Sequence, residues 1–316
     1  MALLEIENLK VYFFTRKGPA KAVDGITFKV SGNETFGLIG ESGCGKTTVA
    51  MAIMRFVKPP GRIVDGRVSF DGSDLVTLNP EAMRSLRGKA ISIIRQEAQN
   101  ALNPVMSIGK QITEIILEHE KERKDSAWAR ARHQLSLVGI SEERVKDYPH
   151  EFSGGMKQRA MVAIATACHP RFLILDEPTT GLDVIVQRQL LESINDLKTK
   201  LDLTSLLISH DLSVIAETCD RVAVMYAGKI VEEAQTVSLY KNPLHPYSKA
   251  LIGAFPSLKG TKKKLKSIPG APPLLIDPPI GCRFQPRCDY AMKICTSVDP
   301  EIREKDGHRV ACHLIQ

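Results

Sequence analysis

The sequence predicts an α/β fold with buried parallel strands and a proline-rich C-terminal extension, and three observations carry that prediction. First, GLIGESGCGKTT, residues 37–48, places a glycine-rich turn between the apolar strand FGLI and the helical run TVAMAIMRF. Second, RFLILDEPTTGLD, residues 171–183, is a short apolar strand that ends in two adjacent carboxylates. Third, the composition shifts near residue 235: ten of the 18 prolines fall in the last 81 residues, together with the basic run Lys262, Lys263, Lys264 and Lys266. Residues 1–235 therefore read as one compact domain and residues 236–316 as an extension. Within the first, residues 106–150 contain IGKQITEIILEHE and WARARHQLSLVGI, whose apolar spacing (Ile112, Ile115, Ile116) predicts a helical subdomain.

With 316 residues, 43% hydrophobic and 25% charged, the chain can bury a large core. No apolar run approaches the roughly 18 residues needed to cross a bilayer. The net charge of +7 is spread among 36 acidic residues without aromatic interleaving, which argues against a nucleic-acid partner. The opening MALLEIENLK lacks a basic n-region and an apolar h-region, so the expected compartment is a reducing cytosol.

The turn fits G-x-x-x-x-G-K-S/T from Gly40 to Thr47. Glycines let successive N–H groups of Gly40, Ser42, Gly43, Cys44, Gly45 and Thr48 point inward, and a helix N-terminus adds its positive end, which suits a triphosphate such as ATP. Lys46 would reach the β- and γ-phosphates and the Thr47 hydroxyl would ligate Mg²⁺. Cys44 reads as a tolerated small residue. Asp176, at the end of the second strand, can hold Mg²⁺, and Glu177 beside it can polarise an attacking water. In SLLISHD, His210 follows another apolar strand and is placed to meet a γ-phosphate. EFSGGMKQRA, residues 151–160, supplies a second anion cradle, with Ser153 as helix cap before Gly154 and Gly155.

GESGCGKTT, SGGMKQ, LILDEP and the histidine after LLIS together resemble the nucleotide-binding subunits of ABC transporters, over about residues 3–235. The resemblance implies a phosphate-loop ATPase with an antiparallel β subdomain and a helical subdomain. It also implies ATP sandwiched between the phosphate loop of one subunit and the S-G-G signature of another. Carried over, Gln96 matches the glutamine that senses Mg²⁺ and contacts membrane subunits, Asp183 the aspartate of the loop after the strand carboxylates, and Phe13 or Tyr12 the ring that stacks on adenine. Arg95 departs from the usual aromatic, Glu97-Ala98 from Asp-Pro, and Phe152 from another apolar residue before the signature serine.

NPLHPYSKALIGAFP, residues 242–256, and GCRFQPRCDYAMKIC, residues 281–295, are similar to the C-terminal extension of the D-type ATPases of dipeptide and oligopeptide importers. That resemblance implies a peptide importer with a second, different ATPase chain, two transmembrane permeases and an extracellular solute-binding protein, the chain lying peripherally on the cytoplasmic face of the membrane. Import of sugar oligomers or metal by the same machinery is the alternative; a soluble ATPase of iron–sulfur assembly or of nucleic acid is the alternative of another class. In that group four cysteines, here Cys282, Cys288, Cys295 and Cys312, can bind a [4Fe–4S] cluster. Their spacing is wider than zinc-finger pairs and unlike common ferredoxins, and zinc is the runner-up. Cys168 and Cys219, isolated in apolar contexts, read as core residues. Because this module is far in sequence from Lys46, Glu177 and His210, a structural or docking role is expected of it rather than electron transfer, and replacing Cys288 or Cys295 is expected to leave ATP binding largely intact.

Overall fold

The computed structural model describes residues 2–96, 101–254 and 268–315. Glu97 and Ala98, and the basic run Lys262–Lys264 and Lys266, lie outside them. In chain order the strands are β1 Ala2–Thr15, β2 Gly18–Ser31, β3 Thr35–Ile39, β4 Gly61–Phe70, β5 Ser73–Asp74, β6 Ile91–Ile94, β7 Phe172–Asp176, β8 Thr204–Ile208, β9 Arg221–Tyr226, β10 Lys229–Gln235, β11 Ile302–Lys305 and β12 His308–Ala311. The helices are α1 Lys46–Ile53, α2 Pro80–Leu86, α3 Ile108–His119, α4 Lys124–Leu137, α5 Gly154–Ala165, α6 Val184–Leu201, α7 Leu212–Thr218, α8 Thr236–Lys241 and α9 Pro246–Gly253. They form two compact units, one of residues 2–30, 35–76 and 208–316, the other of 31–34 and 77–207.

In the first unit, an antiparallel sheet runs in the order β2-β1-β4-β5. Alternation along β1 buries Leu4 and Ile6. The alternation then slips at Asn8 (φ 47°), where a bulge shifts the register between Glu7 and Lys10 and turns Leu9 and Val11 back into the core. A second sheet places β3, buried at all five positions, parallel to β9. From β9 the order continues outward through β10 and β12 to β11, each neighbour antiparallel. The last hairpin of the C-terminal extension thus pairs with β10, Glu232 opposite Val310 and Glu233 opposite Arg309.

Packing at that junction explains the NPLHPY segment. Glu232 is wholly buried, and its carboxylate accepts the N–H groups of Leu244 (2.8 Å) and His245 (2.9 Å) and pairs with Nδ1 of His308 (2.7 Å). His245 caps α9, its Nδ1 accepting the N–H of Tyr247 at 3.0 Å. Proline at the first helical position then sets the entry angle. Tyr226, Tyr247 and Phe284 close the cluster, with ring centroids 4.6–5.3 Å apart.

The second unit pairs β6 with β7 in parallel and carries the helical subdomain. Ser107 caps α3, which buries Ile112 and Ile116, while Ile115 is half-buried. Between α3 and α4, Glu120 and Glu122 receive the guanidinium of Arg130, which also donates to Ala167 O at 2.8 Å and so ties the helical hairpin to the end of α5.

The His245 ring makes this packing sensitive to acid. Burial, with Lys249 nearby, pushes its pKa down to about 3. The folded state therefore holds it neutral, so its contribution is complete above the ordinary histidine value and is lost as pH falls below about 6.5. By pH 5 the loss reaches about 2 kcal/mol. Equilibrium urea unfolding at pH 7.5 and 5 checks this against His245→Asn, which keeps a capping side chain and is expected to remove that increment.

Candidate active site

The phosphate loop lies between β3 and α1, and its shape is dictated by neighbouring backbone. A Cβ on Gly40 (φ 150°) would stand 2.1 Å from Met225 O, and one on Gly45 (φ 110°) 2.1 Å from Ala22 O. Further bonds hold the turn: Gly228 N–H donates to Cys44 O at 2.9 Å, and Glu41 N–H to the Tyr247 hydroxyl at 2.9 Å. Lys46 is buried, its Nζ donating to Gly40 O (2.7 Å) and Glu41 O (3.1 Å). Ser42, Gly43 and Thr47 are exposed, and Thr48 lies half-buried in the first turn of α1. Cys44 is buried, and its thiol pKa is pushed up by that burial, as a packing residue's would be.

Other predicted residues of this unit sit on its strands. Tyr12 and Phe13 point to opposite faces of β1. The Tyr12 hydroxyl donates to Asp24, and burial together with that carboxylate pushes the phenol up to about 12. Phe13 is half-buried against Gly61, its register partner on β4. His210 is exposed two residues beyond β8.

The second unit carries the rest. Asp176 closes β7 at 1% exposure; Glu177 follows in left-handed backbone (φ 51°), its carboxylate accepting from Thr180 at 3.3 Å. The signature opens α5: Ser153 caps it by accepting Met156 N–H at 3.3 Å, with Ser153 and Gly154 exposed. Gly155 lies so close to α6 that a Cβ would stand 2.3 Å from Val186. From α5, Gln158 donates to Pro178 O at 2.7 Å, linking the signature helix to the turn after Glu177. Asp183 caps α6 through the N–H groups of Ile185 (3.1 Å) and Val186 (3.0 Å), and beside it Val184 and Ile185 are 82% and 71% exposed. Gln96 is exposed just past β6. Phe152 is buried beneath the Arg144 guanidinium, 4.8 Å from its ring centroid.

One feature escaped the sequence. RFQPR, inside the cysteine segment, is a docking strip. Arg283 donates to Ala227 O and to Asp24, Phe284 enters the aromatic cluster, and Arg287 forms a two-pronged pair with Glu41 of the phosphate loop (2.7 and 2.9 Å). The segment that holds the cysteines, distant from the phosphate loop along the chain, thus touches that loop, because β12 brings the tail back to β10. No pattern marks an arginine in a proline-rich segment as a long-range partner.

The four tail cysteines are free thiols in one neighbourhood. Burial lifts Cys282 to about 11, and Cys295, Cys312 and Cys288 add to that shift. The N–H of Cys282 donates to Cys295 O at 2.9 Å. Among the described residues no group of three or more His, Cys, Asp or Glu side chains is arranged to hold a metal ion. The arrangement of these side chains therefore lends no support to either metal reading of the sequence, the [4Fe–4S] cluster or zinc. Cys168 and Cys219 are buried, as expected of core residues.

The family model for ABC transporters matches residues 23–180, and the model for the oligopeptide/dipeptide transporter C-terminal region matches residues 231–295. The chain is 45% identical to the oligopeptide transport ATP-binding protein AppD of Bacillus subtilis, over 99% of this chain and 97% of that one. This chain belongs to the ABC transporter family. It is also 44% identical to the dipeptide transport ATP-binding protein DppD of Bacillus subtilis, covering 99% and 94% of the two chains. With the oligopeptide transport ATP-binding protein OppD of Escherichia coli it shares 42% identity, covering 98% and 93%. Among solved structures, a dimeric bacterial ABC transporter cassette superposes with a TM-score of 0.66 at 20% identity, over 74% of this chain and 98% of that one, which shows the cassette fold. Among the described residues no helix is long and apolar enough to cross a membrane.

Gly40→Ala is expected to abolish ATP binding or prevent folding, because Met225 O occupies the space of the new Cβ. Lys46→Ala should instead leave the fold intact and weaken ATP binding by about 1.5–3 kcal/mol, the range of a charged hydrogen bond. Calorimetric titration with MgATP, alongside far-UV circular dichroism, separates the two.

Proposed function

We propose that this chain is an ATP-hydrolysing subunit that powers peptide import through a multisubunit ABC transporter. The observation that carries the reading is the near-complete overlap with a peptide-transport ATPase, extension included. The partners are two transmembrane permeases, a solute-binding protein outside the cell and a second, related ATPase chain, with this chain peripheral on the cytoplasmic face. Exposed Val184 and Ile185 beside Asp183 support a second ATPase, being an apolar surface a partner would cover. Functionally the chain divides at about residue 235, and the helical subdomain faces the permeases.

In this mechanism the loop amides and Lys46 bind the triphosphate, and Phe13 or Tyr12 stacks on adenine. Thr47, Asp176 and Gln96 would hold Mg²⁺, which neutralises charge on the β- and γ-oxygens. Glu177 takes a proton from the attacking water, His210 contacts the γ-phosphate, and Ser153, Gly154 and Gly155 complete the opposite subunit's site, so ATP closes the pair and hydrolysis reopens it. Glu177→Gln should retain ATP binding and lower turnover at least a hundredfold, the scale of one lost general base. Steady-state hydrolysis by the assembled transporter within a few-fold of wild type would refute this role.

The tail cysteines, Cys282, Cys288, Cys295 and Cys312, would be the ligands of a [4Fe–4S] cluster, four thiolates being its ordinary ligand set; bound, it would supply folding free energy to a proline-rich segment. Protein purified without oxygen should be brown, absorbing near about 400 nm, and Cys288→Ser should remove the colour. A colourless, iron-free protein would remove the cluster from this reading while leaving the ATPase role standing.

A further inference from the structure

Glu41 occupies an awkward position for an anion-binding loop. The loop's amides and Lys46 attract a polyanion, whereas a carboxylate on the second residue of GESGCGKTT repels it. The Glu41 carboxylate is three-quarters buried, and both its oxygens receive the Arg287 guanidinium. Arg287 is fixed in turn: Nε donates to Pro269 O at 2.7 Å, Nη1 also to the Tyr226 hydroxyl at 3.2 Å, and its side chain is 6% exposed. The same Glu41 accepts Lys46 Nζ at its carbonyl and donates its N–H to the Tyr247 hydroxyl. One residue thus joins the lysine that meets the phosphates to two segments of the C-terminal extension.

We propose that Arg287 is a positioning residue of the ATP site: carried by the C-terminal extension, it neutralises Glu41 within the phosphate loop and thereby lets that loop bind a triphosphate. The extension is then part of the nucleotide site, whatever its cysteines hold. A purely mechanical strut would behave differently, because cutting either end of it, or both, would loosen the loop to the same extent. Neutralisation instead requires that removing the carboxylate should repair the loss of the guanidinium.

The test is MgATP affinity of the full chain by titration calorimetry, with limited proteolysis reporting whether the tail stays folded. Arg287→Ala is expected to weaken binding about tenfold, as an uncompensated charge near the phosphates would. Adding Glu41→Gln to the same chain should restore affinity to within about threefold of wild type, and Arg287→Lys, which keeps the charge but loses the fork, should stay within the same range. Wild-type affinity in Arg287→Ala, or a double variant as weak as the single one, overturns the proposal. If Arg287→Ala does not fold, Arg287→Lys decides: a tenfold loss with a protease-resistant tail also overturns it.

Discussion

Close backbone approach at the phosphate loop constrains the rest of the molecule. Gly40 and Gly45 fit only because no Cβ separates them from the carbonyls of Met225 and Ala22, so the loop takes its shape from β9 and β2 as much as from its own glycines. Once β9 is a template for the loop, whatever packs on β9 and β10 is coupled to it. The C-terminal extension packs there, through β12 on β10 and through Tyr247, Phe284 and Arg287 around Tyr226.

This coupling rests on buried polar groups that are costly to leave unmatched. Glu232, with no exposed surface, collects two backbone N–H groups and His308; Glu41 collects both prongs of Arg287. Each carboxylate lies before residue 235 and each side-chain partner beyond residue 280. Detaching the tail would strand both charges, so the extension is bound by electrostatic necessity as well as by its aromatic contacts.

The signature unit is organised by capping. Ser153 and Asp183 start α5 and α6 with side-chain oxygens on backbone N–H groups, and Gly155 against Val186 sets how closely the two helices meet. Gln158 on Pro178 O then couples the signature helix to the backbone beside Glu177, whose left-handed conformation is held by its surroundings rather than preferred by a glutamate.

The sequence by itself determined the cradle, the strand that ends at Asp176 with Glu177 beside it, the helix capped by Ser153 and the helical subdomain, because each follows from backbone geometry and periodicity within a dozen or so residues. Glycine freedom, apolar alternation and capping are local properties, and local properties are written locally. Only the tertiary structure decided that Arg287 meets Glu41, that His308 meets Glu232, and that the Tyr12 hydroxyl turns to Asp24 while Phe13 covers Gly61. Those choices depend on which distant strand lies alongside which. The physical reason is that a charge can be neutralised by any opposite charge within reach, and reach is set by the packed chain rather than by its order.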